Sequence, residues 1–277
     1  MAEPAAPLID AVLTAGGLPR PGDPLYPLTQ GQSKALLPIA GKPMAQWILD
    51  ALSGSARIGR IVVVGLPPGQ SGLTSRKELL FAPNAGSMIA NAEAGIRRIL
   101  EHNPSAAKVV LCSSDIPCLT SPMVDWMITT CLASDHDIYY GLISQADMER
   151  RFPGSHRSYF AIKEGRFCGS DIIVASTRLV GNYNPAWNDI VGARKNILRQ
   201  ASIIGFGTLW LMLTRQMTIA EAERRAQTQL GVKGRILLDP YAETGMDVDK
   251  PNQYELVKND LEARRAPGPA QPKTPPA

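Results

Sequence analysis

The 277-residue chain has only three histidines, and none of its four cysteines stands in a C-x-x-C pair. A zinc site built from His and Cys is therefore not expected, because such sites need closely spaced ligands. Cys112, Cys118, Cys131 and Cys168 read instead as reduced, buried thiols of a cytoplasmic protein. Charge of one sign is scarce as well: a formal net charge of +4 falls far short of the basic face of a nucleic-acid binder, so nucleic acid is not an expected partner. Residues 1–7 offer neither a basic start nor a long apolar core, so no secretory leader is expected. Nor is there a comfortable membrane span. The longest uncharged run, 200–214 ("QASIIGFGTLWLMLT"), is shorter than the roughly twenty apolar residues that a spanning helix needs.

What is present suits a soluble enzyme. Hydrophobic residues make up 44% of the chain and charged ones 19%, enough apolar surface at this length to bury a substantial core. Apolar runs at 9–13, 60–65, 108–112 and 138–143 read as buried parallel strands. Helical stretches at 44–53, 87–102 and 121–134 separate them, with Ser87 and either Thr120 or Ser121 as N-caps and Pro122 in the first turn. This alternation predicts an α/β fold of Rossmann type, a mainly parallel central sheet with helices on both faces. The second half is less regular. "YFAIKEGRFCGSDIIVAS" predicts an antiparallel hairpin turning at Glu164 and Gly165. Helices are expected over 191–214 and 219–230, the latter with a Thr218/Glu221 capping box and a Gly231 stop. One domain is expected over 8–257, with halves meeting near residue 150, between a flexible start and a disordered Pro/Ala-rich tail from 258.

The stretch "VLTAGG" leads from a buried strand directly into glycine. Such a loop brings successive backbone N–H groups close to an anion, most usefully a polyphosphate. Lys34 and Lys42 follow in "SKALLPIAGKPM" and can add positive charge, although Lys42 before Pro43 also reads as simple turn chemistry. Attack on an α-phosphorus builds negative charge on its oxygens and on departing pyrophosphate, and an ammonium beside oriented N–H groups stabilises that charge.

"LYPLTQGQSKALLPIAGKPM" resembles the signature loop of sugar-1-phosphate nucleotidyltransferases, and residues 8–257 are similar to the MobA-like NTP transferases of GT-A-like fold. The resemblance implies that Ala15, Gly16, Gly17 and Lys34 hold the phosphates of an NTP. The segment "LPRPGDP" departs from the family loop, with Arg20 as candidate for a displaced catalytic arginine. In "VVLCSSDIPCLT" a strand ends at Cys112 and places Asp115 at the carboxyl edge of the sheet, where a carboxylate can hold Mg²⁺ or cap a helix. "TGMDVDKPNQYELV" resembles the family segment that brings a second ligand to the same metal, implying Asp249 in preference to Asp247.

In "FAPNAGSMIANAEAGI", Asn84 and Ser87 can read a base edge, or serve as turn and cap residues. The hairpin resembles one lining the acceptor pocket, with Arg157 and Lys163 facing an acceptor phosphate or, on the other reading, solvent. Asp171 stands nearby and is not chosen as a metal ligand.

The function these observations imply is Mg²⁺-dependent transfer of a nucleoside monophosphate from an NTP to a small, phosphorylated acceptor. A glycosyltransferase is the alternative enzyme, but "SSDIP" lacks the first carboxylate of a D-x-D. A catalytically inactive nucleotide-binding protein is the alternative from another class. For 200–214, flanked by Arg199 and Arg215, contact with a second copy of the chain is preferred to contact with a membrane surface.

Overall fold

The computed structural model of the protein describes residues 7–69, 72–180, 211 and 214–265. In chain order, β1 (Ile9–Thr14) is followed by a short helix α1 (Tyr26–Thr29), a 3₁₀ turn (Lys34–Leu36), the two-residue strands β2 (Pro38–Ile39) and β3 (Lys42–Pro43), and α2 (Met44–Gly54). Then come β4 (Ile58–Val64), β5 (Leu79–Ala82), α3 (Met88–His102), β6 (Lys108–Ser113), α4 (Ser121–Leu132), β7 (Ile138–Ser144) and α5 (Gln145–Arg151). The described chain closes with β8 (Phe160–Ile162), β9 (Gly165–Ser176), α6 (Ile219–Leu230), β10 (Gly234–Leu238) and α7 (Pro251–Arg265).

The sheet is mixed and mostly parallel, in the order β10-β7-β9-β6-β1-β4-β5, with β8 paired to β9. Strand β1 is buried on both faces, as an apolar run without alternating polarity requires. Ala11 and Leu13 pack toward α2 and α4 together with Ile61, Val63, Val110 and Cys112. Val12 faces the other way, among Val62, Val64, Val109 and the α3 residues Ile96 and Ile99. Helices therefore cover both faces. Full burial of each such Val, Leu or Ile contributes about 1.5–3 kcal/mol, which anchors β1 firmly in the sheet.

Strands β4 and β6 flank β1 on opposite sides. The chain thus changes direction across the sheet at β1, leaving a crevice beyond the carboxyl ends of β1 and β6, the place where open α/β sheets bind ligands. Thr14 and Ser113 end those strands side by side.

Strand and helix positions follow the expected pattern, and the Thr218 cap and the left-handed Gly231 stop of α6 are present. Some expectations need correction. The hairpin turns where expected, but its second strand runs twelve residues and threads antiparallel between β6 and β7. The sheet therefore draws strands from both sides of residue 150. The expected tail boundary at 257 falls inside α7, where Val257 and Leu261 are buried; an amphipathic turn with few apolar residues hid that continuation. Strands β5 and β10 and helix α5 had no counterpart in the pattern, being short and only partly buried. The expected helix over 191–214, apart from Leu211 and Thr214, lies outside the described residues, as do Trp210 and its proposed contact. Among the described residues, no helix is long and apolar enough to cross a membrane.

Candidate active site

The loop after β1 is shaped by its carbonyl groups. Ser33 Oγ donates to Ala15 O (3.1 Å), Asn84 Nδ2 to Gly16 O (3.1 Å) and the Lys34 N–H to Gly17 O (3.0 Å). With the carbonyls held, the N–H groups of Gly16 and Gly17 have no protein partner among the described residues. The crowding explains the glycine: a Cβ on Gly16 would lie 2.8 Å from Asn91 Nδ2 and 3.0 Å from Asn84. Gly65, at φ +100°, presses on the same place, since its own Cβ would meet the Gly16 Cα at 2.5 Å. A side chain at either position would push the loop out of shape.

Beside this loop the carboxyl edge of β6 carries Asp115, whose Oδ1 accepts a hydrogen bond from Ser113 Oγ. The 3₁₀ turn aims Lys34 at it, with Nζ 2.6 Å from Asp115 Oδ2. The same ammonium is paired with Asp249 Oδ1. The segment carrying Asp249 is tied down by the Val248 N–H, which donates to Asp115 O at 2.9 Å, and by the Asp249 N–H, which donates to Gln253 Oε1 at 2.9 Å. Burial pulls the Lys34 ammonium toward its neutral form, but the Asp115 and Asp249 charges outweigh it and hold its pKa above the usual lysine value.

A second ion-pair group adjoins the first. Arg157 is paired with Asp247 and lies 3.9 Å from Asp171 Oδ2. About a third of the Asp171 side chain (34%) remains open, while its Oδ2 is buried without a hydrogen-bond partner. Burial, and then the Asp115 charge, push the Asp171 carboxyl up to about 7, against the pull of Arg157. Among these six side chains four carboxylates face two cations, an excess of negative charge. Lys34, Asp115, Asp171, Gly16, Gly17 and Asn84 all line one cavity of about 750 Å³.

Residues 11–163 match the family model of the MobA-like NTP transferase domain. The chain belongs to the MobA-like NTP transferase family. Among solved structures, a hypothetical transferase from Thermus thermophilus is 32% identical, with a TM-score of 0.76 over 89% of this chain and 99% of that one. CMP:2-keto-3-deoxy-manno-octonic acid synthetase complexed with CTP is 16% identical, with a TM-score of 0.53 over 93% of this chain and 99% of that one. The inositol-1-phosphate CTP transferase of T. maritima is 14% identical, again with a TM-score of 0.53, over 93% of this chain and 98% of that one. At such identities the last two show likeness of fold. No curated protein matches the chain by sequence.

Within this MobA-like domain, Ala15, Gly16, Gly17, Lys34 and Asp115 are brought together, and Asp249 joins them from beyond the matched residues. Other expected site residues stand differently. Arg20 is exposed and lines an outer groove that shares Gly16, Asn84 and Gly86 with the main cavity. Lys42 turns away, 2.6 Å from Asp50 and over the Trp47 ring. Asn84 uses both ends of its amide on the loop, donating to Gly16 O and accepting from the Gly86 N–H, and Ser87 Oγ caps α3. Arg157 is engaged by carboxylates rather than held out toward an acceptor. Lys163 is exposed at the hairpin tip, where its N–H donates to Met217 O. At about 3.3 Å per residue, six strand positions from Gly165 to Asp171 put it roughly 20 Å from the carboxylates. The residue that sequence reasoning passed over is Asp171. Its only signal was an acidic side chain at the head of the apolar run 172–175.

Proposed function

We propose that this protein transfers a nucleoside monophosphate from a nucleoside triphosphate to a small, phosphorylated acceptor and releases pyrophosphate, with Mg²⁺ as cofactor. The observation that carries this reading is the convergence of Lys34, Asp115 and Asp249 beside a glycine loop that lines a cavity and whose N–H groups have no protein partner among the described residues. Asp115 and Asp249 fit Mg²⁺: their oxygens already address one cation-sized point, and magnesium takes few carboxylates and completes its shell with water and phosphate. Among the described residues no group of three or more His, Cys, Asp or Glu is arranged to hold a metal ion, so these two carboxylates would need donor oxygens to complete the shell. When bound, Mg²⁺ supplies positive charge against the phosphates of the donor.

The chain's own groups account for the rest. The Gly16 and Gly17 N–H groups orient the triphosphate, and Lys34 neutralises charge that grows as the bond to pyrophosphate breaks. The nucleophile is an oxygen of the acceptor phosphate. It is already ionised at neutral pH, so the site needs no strong general base. Arg20, in the adjoining groove, adds positive charge that can attract the departing pyrophosphate. Solved enzymes of this fold whose names refer to CTP are consistent with a nucleoside triphosphate as donor.

The test is pyrophosphate release with each of the four NTPs against a panel of phosphorylated acceptors. Release with one NTP and one acceptor class is the expected result. Tight NTP binding with no release from any combination would make the protein a nucleotide-binding module.

A further inference from the structure

The Lys34 ammonium occupies the point between the two carboxylates at which a cation would sit. Its nitrogen is 2.6 Å from Asp115 Oδ2 and is also bonded to Asp249 Oδ1. Carboxylate oxygens hold a magnesium ion at about 2.1 Å, so an ion bridging this oxygen pair and the ammonium claim the same space. We propose that Lys34 is an internal counter-ion that keeps divalent metal out of the Asp115/Asp249 pair until a triphosphate draws the ammonium away. The proposal rests on the reading of those two aspartates as metal carboxylates.

The surroundings favour such an exchange. Lys34 begins a short 3₁₀ turn whose backbone is tied to Gly17 O, so the base of the side chain stays beside the phosphate loop while its long stem can swing. The Gly16 and Gly17 N–H groups mark where an anion would settle. An arriving triphosphate offers the ammonium new partners within reach, leaves the carboxylates facing each other, and brings oxygens to complete a metal shell. Metal and nucleotide then strengthen each other's binding, and this coupling must be reciprocal. Without nucleotide, two like charges share one ammonium, and free metal has to displace it.

The test uses Mn²⁺ alone, titrated into the full chain without nucleotide, with free Mn²⁺ followed by its electron paramagnetic resonance signal. Lys34→Met should bind Mn²⁺ at least tenfold more tightly than the wild type, with Lys34→Gln as the second variant should the first fail to fold. Adding Asp115→Asn to either should abolish the gain. Lys250→Met removes a charge next to Asp249 in sequence, from a side chain directed at His156 O, and should change affinity less than twofold. Equal gains from Lys34→Met and Lys250→Met would reduce the effect to the general field and overturn the proposal. So would a Lys34→Met affinity no tighter than the wild type, or a gain that survives Asp115→Asn. NTP turnover by the wild type, measured separately, keeps the two readings apart: turnover without the Mn²⁺ gain removes the exchange alone, and the gain without turnover removes the transferase reading alone.

Discussion

The two sides of the cavity are built by different means. On the glycine-loop side, neutral donors and backbone carbonyls within two short segments do the shaping: Ser33, Asn84 and the Lys34 N–H fix residues 15–17. On the β9 side, part-buried ion pairs join residues far apart in the chain, with Arg157 linked to Asp247 and close to Asp171. Neutral hydrogen bonds keep their geometry across pH and salt. A group of mutually dependent charges does not, because removing one leaves another buried and uncompensated. The loop side is therefore a fixed cradle, and the carboxylate side an adjustable field.

The largest expected effect lies where the two sides meet. Asp115→Ala and Asp249→Ala should each lower pyrophosphate release on the order of 10²-fold or more, with the far-ultraviolet circular dichroism unchanged. Near-normal release from either variant at limiting Mg²⁺ would remove that residue from the metal site. Next comes Arg157. Arg157→Met strands Asp247 and Asp171, and should cost roughly 3 kcal/mol, the lower end for breaking a pair from one side, since these groups keep part of their surface in water. In denaturant titrations the Arg157→Met/Asp247→Asn double variant should recover part of that loss. If the double variant is no more stable than the single one, the β9 side does not depend on charge pairing.

A smaller effect is expected at the opposite end of the sheet. Asp137 precedes β7, accepts from the Lys233 N–H at 2.8 Å and is paired with Arg178. Burial alone would raise its pKa, but the hydrogen bonds from Arg178 and Lys233 outweigh that and lower it. Its stabilising contribution is thus present above the ordinary carboxylate value and is lost as pH falls through the lower folded-state value. Asp137→Asn should cost roughly 1–3 kcal/mol at pH 7, less at pH 3, with turnover per folded molecule unaltered. An equal cost at both pH values would refute the titration.

The smallest effects are expected from the two peripheral lysines. Lys163→Ala should leave the KM for the acceptor within twofold of the wild type. Lys42→Ala should change stability by less than about 1 kcal/mol, the usual range of an exposed ion pair. A tenfold rise in KM at Lys163 would show that the hairpin tip reaches the acceptor.

Much of the loop side was legible in the chain itself. A buried strand, then glycine, then Lys34 is a local arrangement, and Asp115 stands two residues beyond β6, so periodicity alone sets both at one edge of the sheet. Asp249 was reached through family resemblance, because nothing local distinguishes it from Asp247. In space the two part ways: Asp249 meets Lys34, whereas Asp247 turns to Arg157. The pairing of Arg157 and the setting of Asp171 could not be read from the chain, for the same physical reason. Their roles depend on partners brought near by the antiparallel insertion of β9 between β6 and β7. A strand's own pattern of alternation records which of its faces is buried. It carries no record of which neighbour will lie beside it, and so only the tertiary structure decided which charges meet.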